Sequence, residues 1–179
     1  KFGSHSKLYD VFNEIFGPYQ KQWFNSSYFF KPKEVGIETK PHQDNAYFNL
    51  NPCEAFTAWI PTGSITKKNS ALYYYAGSQK GGLLPHDPHG NLGASMCVSK
   101  KNINKIKRKY KKYYIEVKKG DCIIHSPLVV HGSGKNRSQV DRGAFNMSIK
   151  SKKAKLNVIG FSNYEKKLKS YLKAKKKKK

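Results

Sequence analysis

The stretch Asp121-Cys122-Ile123-Ile124-His125-Ser126-Pro127-Leu128-Val129-Val130-His131-Gly132-Ser133 decides how the chain folds. Each of its apolar runs is only a few residues long, too short for a helix, and Ser126-Pro127 breaks one from the other. They read as two short strands, Cys122–His125 and Val129–His131, the second ending where glycines begin a turn. The same texture extends outward in both directions, predicting strands at Tyr28–Lys31, Ile37–His42, Phe56–Ile60, Ala71–Tyr75, Tyr113–Val117 and Gly143–Ile149. Turn-rich clusters at Asn49–Pro52, Pro61–Gly63, Gly81–Gly93 and Gly132–Asn136 separate them. Many short strands joined in this way predict a mainly β domain with flanking helices, built as a sandwich, barrel or jelly roll.

Helical periodicity is confined to the two ends. Over Ser6–Phe16, Leu8, Phe12, Ile15 and Phe16 share one face, and Gly17-Pro18 supplies the stop. Near the C-terminus Ser162 and Glu165 form a capping box for a helix carrying Tyr164, Leu168, Tyr171 and Leu172. Pro85–Ser95 is polar and rich in Gly and Pro, and reads as a long loop beside a site.

With 179 residues, 37% of them hydrophobic, the chain is sized for one folded domain. Its expected limits are 1–151, followed at 152–179 by a basic helix and a disordered Lys175–Lys179 run. No apolar stretch approaches the roughly twenty residues that span a bilayer, and no secretory leader is evident. Cys53, Cys97 and Cys122 form no C-x-x-C pair, which suits reduced thiols and a cytoplasmic location. The net charge of +24 is unevenly spread: residues 150–179 contribute +12 and residues 100–119 contribute +9, leaving +3 for the rest. A nearly neutral body with one Lys-rich insertion and one Lys-rich tail argues against specific nucleic-acid recognition. Arg, the better base and phosphate reader, occurs only at 108, 137 and 142.

Chemistry is suggested first by Pro41-His42-Gln43-Asp44-Asn45. On a strand, positions i and i+2 share a face, so His42 and Asp44 can address one point. An imidazole and a carboxylate supply two members of a facial triad that leaves positions open on iron. His125 and His131 both qualify as the third. Arg142 enters the next apolar strand in a chain whose cations are otherwise nearly all Lys. It is suited to a two-pronged contact with the distal carboxylate of a keto acid bound at such a metal.

These pieces fall in a familiar order. Lys31-Pro32, Pro41-His42-Gln43-Asp44-Asn45, Thr57-Ala58-Trp59-Ile60, Ala76-Gly77-Ser78 with Lys80-Gly81, and Leu84-Pro85-His86 come first. Gly120-Asp121, His125, His131-Gly132-Ser133-Gly134, Asn136, Ser138 and Arg142 follow. Over about Ser27 to Ile149 the chain resembles the phytanoyl-coenzyme A dioxygenase family of iron(II)/2-oxoglutarate oxygenases. Family members carry a longer region before this core.

The resemblance implies a double-stranded β-helix, a cupin-like jelly roll, with the metal at one open end. It implies His42, Asp44 and His131 as iron(II) ligands and Arg142 as the 2-oxoglutarate anchor, with Ser133 beside it. It also implies Trp59 as an aromatic wall of the co-substrate pocket, Gln43 and Asn45 as flanking contacts, and His86 beside the substrate pocket, while His125 reads either as a support to the ligands or as a structural residue. The expected reaction consumes O2 and 2-oxoglutarate, releases succinate and CO2, and hydroxylates a small-molecule or acyl substrate, with ascorbate as a supporting reductant. Asp44 favours hydroxylation, since related halogenating enzymes have a small residue there. The competing readings are a catalytically silent jelly roll that binds a metal or ligand, and an anionic-polymer binder acting through the Lys-rich segments.

Overall fold

Residues 6–18, 20–91 and 94–177 are described by a computed structural model of the chain. The first elements are α1 (Ser6–Phe16), β1 (Lys21–Lys31), β2 (Thr39–His42), the single turn α2 (Asn45–Phe48), β3 (Leu50–Asn51), β4 (Ala55–Pro61) and β5 (Leu72–Tyr75). After a short 3-10 turn come β6 (His86–Asn91), β7 (Ala94–Val98), α3 (Lys100–Lys109), β8 (Lys112–Ile115) and β9 (Ile123–His125). The chain continues through β10 (His131–Ser133), β11 (Arg142–Ser151), β12 (Lys155–Leu156) and α4 (Val158–Lys176).

Eight strands form two four-stranded antiparallel sheets, ordered β1-β11-β4-β9 and β2-β10-β5-β8. Numbered among themselves along the chain, these eight read 1-8-3-6 in one sheet and 2-7-4-5 in the other. That interleaving is the double-stranded β-helix, one of the jelly rolls. The core between the sheets draws on both: Trp59 and Ala144 meet Leu72, Tyr74, Ile65 and Val129. On the outer side of the first sheet, α1 buries Phe12 against Ala58 and Ile149, with Trp23 edge-on to its ring at 5.9 Å. The contact face of α1 is Leu8, Phe12 and Phe16, at spacings of four. Ile15, expected there too, is exposed.

Several expectations need correction. Pro85–Ser95 is not a loop. After Pro85 its described residues belong to β6 and β7, a hairpin whose register pairs His86 with Val98 and Asp87 with Cys97; positions 92 and 93 lie outside the described residues. The final helix starts at Val158, four residues before the expected capping box. Its N-cap is Asn157, whose side chain accepts the Gly160 N–H at 3.0 Å. Lys175 and Lys176, expected to be disordered, belong to α4, while Lys178 and Lys179 fall outside the described residues. The Lys-rich stretch 100–119 is woven into the fold, because β8 is the edge strand of the second sheet, paired with β5. Among the described residues no helix is long and apolar enough to cross a membrane.

Candidate metal centre

β2 and β10 lie side by side with His42 directly opposite His131. Asp44 joins them by a route the sequence did not suggest. β2 ends at His42, and Asp44 is the N-cap of α2 rather than the next strand residue. The sharp turn, held by Tyr47 and Phe48 N–H groups donating to the Asp44 carbonyl, swings its carboxylate back over the strand end. One donor atom from each of the three residues then lies within 4.8 Å of the others. Asp44 Oδ1 is 3.5 Å from His42 Nε2 and 3.6 Å from His131 Nε2.

The backbone decides which ring nitrogens face inward. His42 Nδ1 is 2.8 Å from the Lys40 carbonyl and His131 Nδ1 is 3.1 Å from the Val129 carbonyl. A carbonyl only accepts, so each Nδ1 carries the proton and a neutral ring offers its Nε2 lone pair. Burial pushes the His131 imidazole down to about 3, which keeps it neutral. Burial pushes the Asp44 carboxyl up, but the hydrogen-bonding imidazoles around it, His125 and His42, hold it well below the usual carboxylate range. Two imidazole Nε2 atoms and an anionic oxygen therefore converge on one point. A divalent cation satisfies that arrangement, and the two-imidazole, one-carboxylate donor set fits non-haem iron(II).

The other oxygen of Asp44 is held from behind. Thr57 Oγ1 donates to Oδ2 at 3.1 Å and His125 Nε2 reaches it at 3.2 Å. His125 Nδ1 in turn lies 3.1 Å from the Tyr74 hydroxyl. When Tyr74 donates to Nδ1, Nε2 carries the hydrogen for Asp44, and Oδ1 alone is left to face the imidazoles. His125, a candidate ligand by residue type, thus belongs behind the carboxylate.

A cavity of about 410 Å³ opens from this cluster, in the range that holds a small organic ligand. Arg142 opens β11 and lies opposite Lys31 at the end of β1. The Arg142 side chain is buried, with its guanidinium carbon 4.7 Å from the Trp59 ring centre and Nη2 donating to the Ser70 carbonyl at 3.2 Å. Ser70 adopts φ +81°, a left-handed conformation costly for a residue with a Cβ. Arg142 Nε is buried without a hydrogen-bond partner among the described residues. Burial lowers its pKa to about 10, so it stays charged at neutral pH. The neighbouring Asp141 is not its partner among the described residues: that carboxylate accepts the Lys33 N–H at 2.8 Å.

Lys31 is the site residue that sequence reasoning missed. Its ammonium reaches Ser133 Oγ at 2.7 Å, the Gly134 carbonyl at 2.9 Å and Ser70 Oγ at 3.0 Å. Burial, and then the Arg142 charge, push it down to about 7. Its signals were its place at the end of an apolar strand and its pairing with Pro32 in the first family-like block, neither of which marks a ligand contact in a chain with so many lysines. Together Lys31, Arg142 and the Ser133 hydroxyl make a cationic wall in the cavity that also holds the metal-type cluster. Such a wall can take the far carboxylate of an anion whose near end reaches the metal.

Of the other expected residues, Trp59 and Ser133 line the cavity and three do not. Gln43 is fully buried, donating to the Gly82 and Leu128 carbonyls and accepting the Leu84 N–H. Asn45 uses both ends of its amide on the Leu50 backbone. His86 accepts the Gln43 N–H through Nε2 at 3.1 Å and holds the Leu84 carbonyl through Nδ1. All three fix the turn that aims Asp44, and none is free to touch a ligand. Asn136 likewise serves the backbone, donating to the Lys31 and Val140 carbonyls and accepting from Ser138, which closes the turn between β10 and β11.

Comparison with known proteins agrees with this geometry. The sequence model of the phytanoyl-CoA dioxygenase (PhyH) family matches residues 3–144. The peroxisomal phytanoyl-CoA dioxygenase of Bos taurus is 33% identical over 119 residues, covering 64% of this chain and 35% of the relative. Its Homo sapiens counterpart is 31% identical over 126 residues, covering 68% and 37%. The chain thus spans little more than a third of the length of these curated relatives. Among solved structures, the epimerase SnoN in complex with Fe3+, alpha ketoglutarate and nogalamycin RO superposes with a TM-score of 0.69 at 19% identity, over 86% of this chain and 58% of that one. EvdO2 from Micromonospora carbonacea, complexed with 2-oxoglutarate, gives 0.68 at 18% identity, over 84% and 62%. At such identities the likeness speaks for the fold.

Proposed function

Because the chain belongs to the phytanoyl-CoA dioxygenase family, we propose that it is an iron(II)- and 2-oxoglutarate-dependent dioxygenase that hydroxylates a small-molecule or acyl substrate. The observation that carries this reading is the pairing, in one cavity, of three converging acceptors with a cationic wall. Either half alone would fit many proteins. In this reading His42, Asp44 and His131 hold the iron. Bound iron supplies open coordination positions where 2-oxoglutarate and O2 react to give succinate, CO2 and the oxidising power for C–H hydroxylation.

The chain's own residues do the positioning. The Lys40 and Val129 carbonyls keep both Nε2 atoms inward, and His125 with Thr57 restrains Asp44 to one oxygen. Arg142, Lys31 and Ser133 receive the distal carboxylate of 2-oxoglutarate, and the Trp59 ring backs the guanidinium. The rest of the wall includes Phe29, Phe30, Val35, Ile37 and Phe48, which present apolar surface to the primary substrate.

Incubation with iron(II), ascorbate and labelled 2-oxoglutarate tests the reading. Succinate should form even without primary substrate, slowly, and at least ~100-fold more slowly in Asp44→Ala. Equal succinate from the two proteins would leave a silent jelly roll as the better account.

A further inference from the structure

The second lysine-rich region has a built orientation that the cavity does not explain. α4 is fastened at its start: Asn157 N–H donates to the Asn49 carbonyl at 2.7 Å, and Asn157 Oδ1 caps Gly160. The start of the helix is closely packed there, since a Cβ at Gly160 would come 2.8 Å from Asn49 Oδ1. Further along, the Tyr164 ring packs on Tyr47 at 6.1 Å and its hydroxyl meets Ser95 Oγ at 3.2 Å. These contacts fix the rotation of the helix. Phe161, Tyr164, Leu168 and Tyr171 are half-buried on the inner side. At 100° per residue, Val158, Ile159, Lys166, Lys169, Lys173 and Lys176 then fall on the outer side, and all six are exposed.

Two properties of that outer side belong together. Leu156, Val158 and Ile159 are 49%, 69% and 77% exposed, and none joins a core cluster. Three bare aliphatic side chains within four residues are not the scattered apolar surface of an ordinary domain. Around them, residues 152–177 carry ten Lys and one acid, Glu165.

We propose that the outer face of α4 and the aliphatic knuckle at Leu156–Ile159 form a docking surface for an anionic lipid membrane. The lysines draw the face to the headgroups, and the aliphatic tips enter the boundary beneath them. The composition selects lipid over nucleic acid. This face has neither Arg nor an exposed aromatic with which to read or stack on bases. The other lysine-rich segment engages part of its charge on rings of its own sheet: Lys112 lies 3.9 Å from the Tyr73 ring centre and 4.9 Å from that of Tyr114.

The inference is independent of the cavity's chemistry and is tested on the full chain by co-sedimentation with vesicles. The chain should pellet with equal parts phosphatidylserine and phosphatidylcholine, and stay in solution with phosphatidylcholine alone. Any protein this basic gains some attraction to anionic vesicles, so the deciding variant leaves charge untouched. Val158→Ser/Ile159→Ser should weaken binding roughly tenfold with an unchanged unfolding midpoint, and Lys166→Gln/Lys169→Gln/Lys173→Gln should weaken it as well. An Ile159→Trp variant should show added emission that shifts to the blue on anionic vesicles. Full binding by the serine variant, an unshifted tryptophan, or tighter capture of single-stranded RNA than of vesicles through the same lysines would overturn the proposal.

Discussion

Lys31 and His125 are the two residues whose placement has consequences that composition could not have suggested. Lys31 is held near pKa 7 by burial and then by Arg142, against a weaker opposing pull from Glu38. An arriving dicarboxylate favours the ammonium form, so binding improves where that form already exists. Below pH 7 Lys31 is charged before binding; above it the proton must be taken from solvent. The KM for 2-oxoglutarate should therefore rise about tenfold from pH 6 to pH 8, and the profile should flatten in Lys31→Met, which starts weak throughout. A wild-type profile as flat as that of the variant would remove Lys31 from the co-substrate site. His125 acts one step back, on Asp44 Oδ2. In His125→Leu the carboxylate loses a partner, and Mn(II) or Co(II) affinity should fall ~10–100-fold. Tyr74→Phe leaves the imidazole in place without its orienting hydroxyl and should cost less. If His125→Leu binds metal as the parent does, Thr57 alone suffices to hold the carboxylate.

Among the elements, the close approach of β2, β10 and β5 is a constraint set by backbone. A Cβ at Gly132 would lie 2.6 Å from the Thr39 carbonyl on one side and 2.6 Å from the Tyr73 hydroxyl on the other. The carbonyl is backbone and cannot step aside, so Gly132→Ala must spread the strands that bring His131 opposite His42. It should cost ~2 kcal/mol or more of stability in denaturant unfolding, within the range for overpacking, and abolish metal binding even at temperatures where the variant is folded. Elements of this kind are legible in sequence where apolar runs meet turn residues. Ala55–Pro61 and Arg142–Ser151 can be read nearly whole because both are central strands with buried faces. Legibility fails where burial is not what forms the element. The first half of β1, with Gln22, Asn25 and Ser26 on a sheet edge, shows no clean alternation. The β6–β7 hairpin stays hidden because His86-Asp87-Pro88-His89 looks like a loop. The convergence of His42 and Asp44 follows from the sequence only through a mistaken premise, that of one continuous strand. They meet through a turn pinned by Gln43, Asn45 and His86, whose hydrogen bonds are mostly long-range and leave no periodic trace. For the same reason those three supports read, in sequence, as ligand contacts.

For the molecule as a whole, the cavity lies where polar side chains of both sheets meet. His42, His131 and Ser133 come from one sheet, while Lys31, Thr57, Trp59 and Arg142 come from the other. This region crowds two buried imidazole nitrogens against a carboxylate and the Lys31 and Arg142 cations against each other. A metal relieves the first conflict and a dicarboxylate the second, and both bind only the folded chain. Ligand at 100 times its dissociation constant adds about 2.7 kcal/mol. For a chain of this size each kcal/mol raises the midpoint by roughly 2–4 °C. Mn(II), which avoids turnover, should thus raise the unfolding midpoint by about 5–11 °C, and 2-oxoglutarate should add a further rise only when the metal is present. The variants separate the two halves of the site. Asp44→Ala should lose both increments, whereas Arg142→Met should keep the first and lose most of the second. If 2-oxoglutarate stabilises the metal-free chain as much as the loaded one, the cationic wall binds anions by itself, and the two halves do not act as one site.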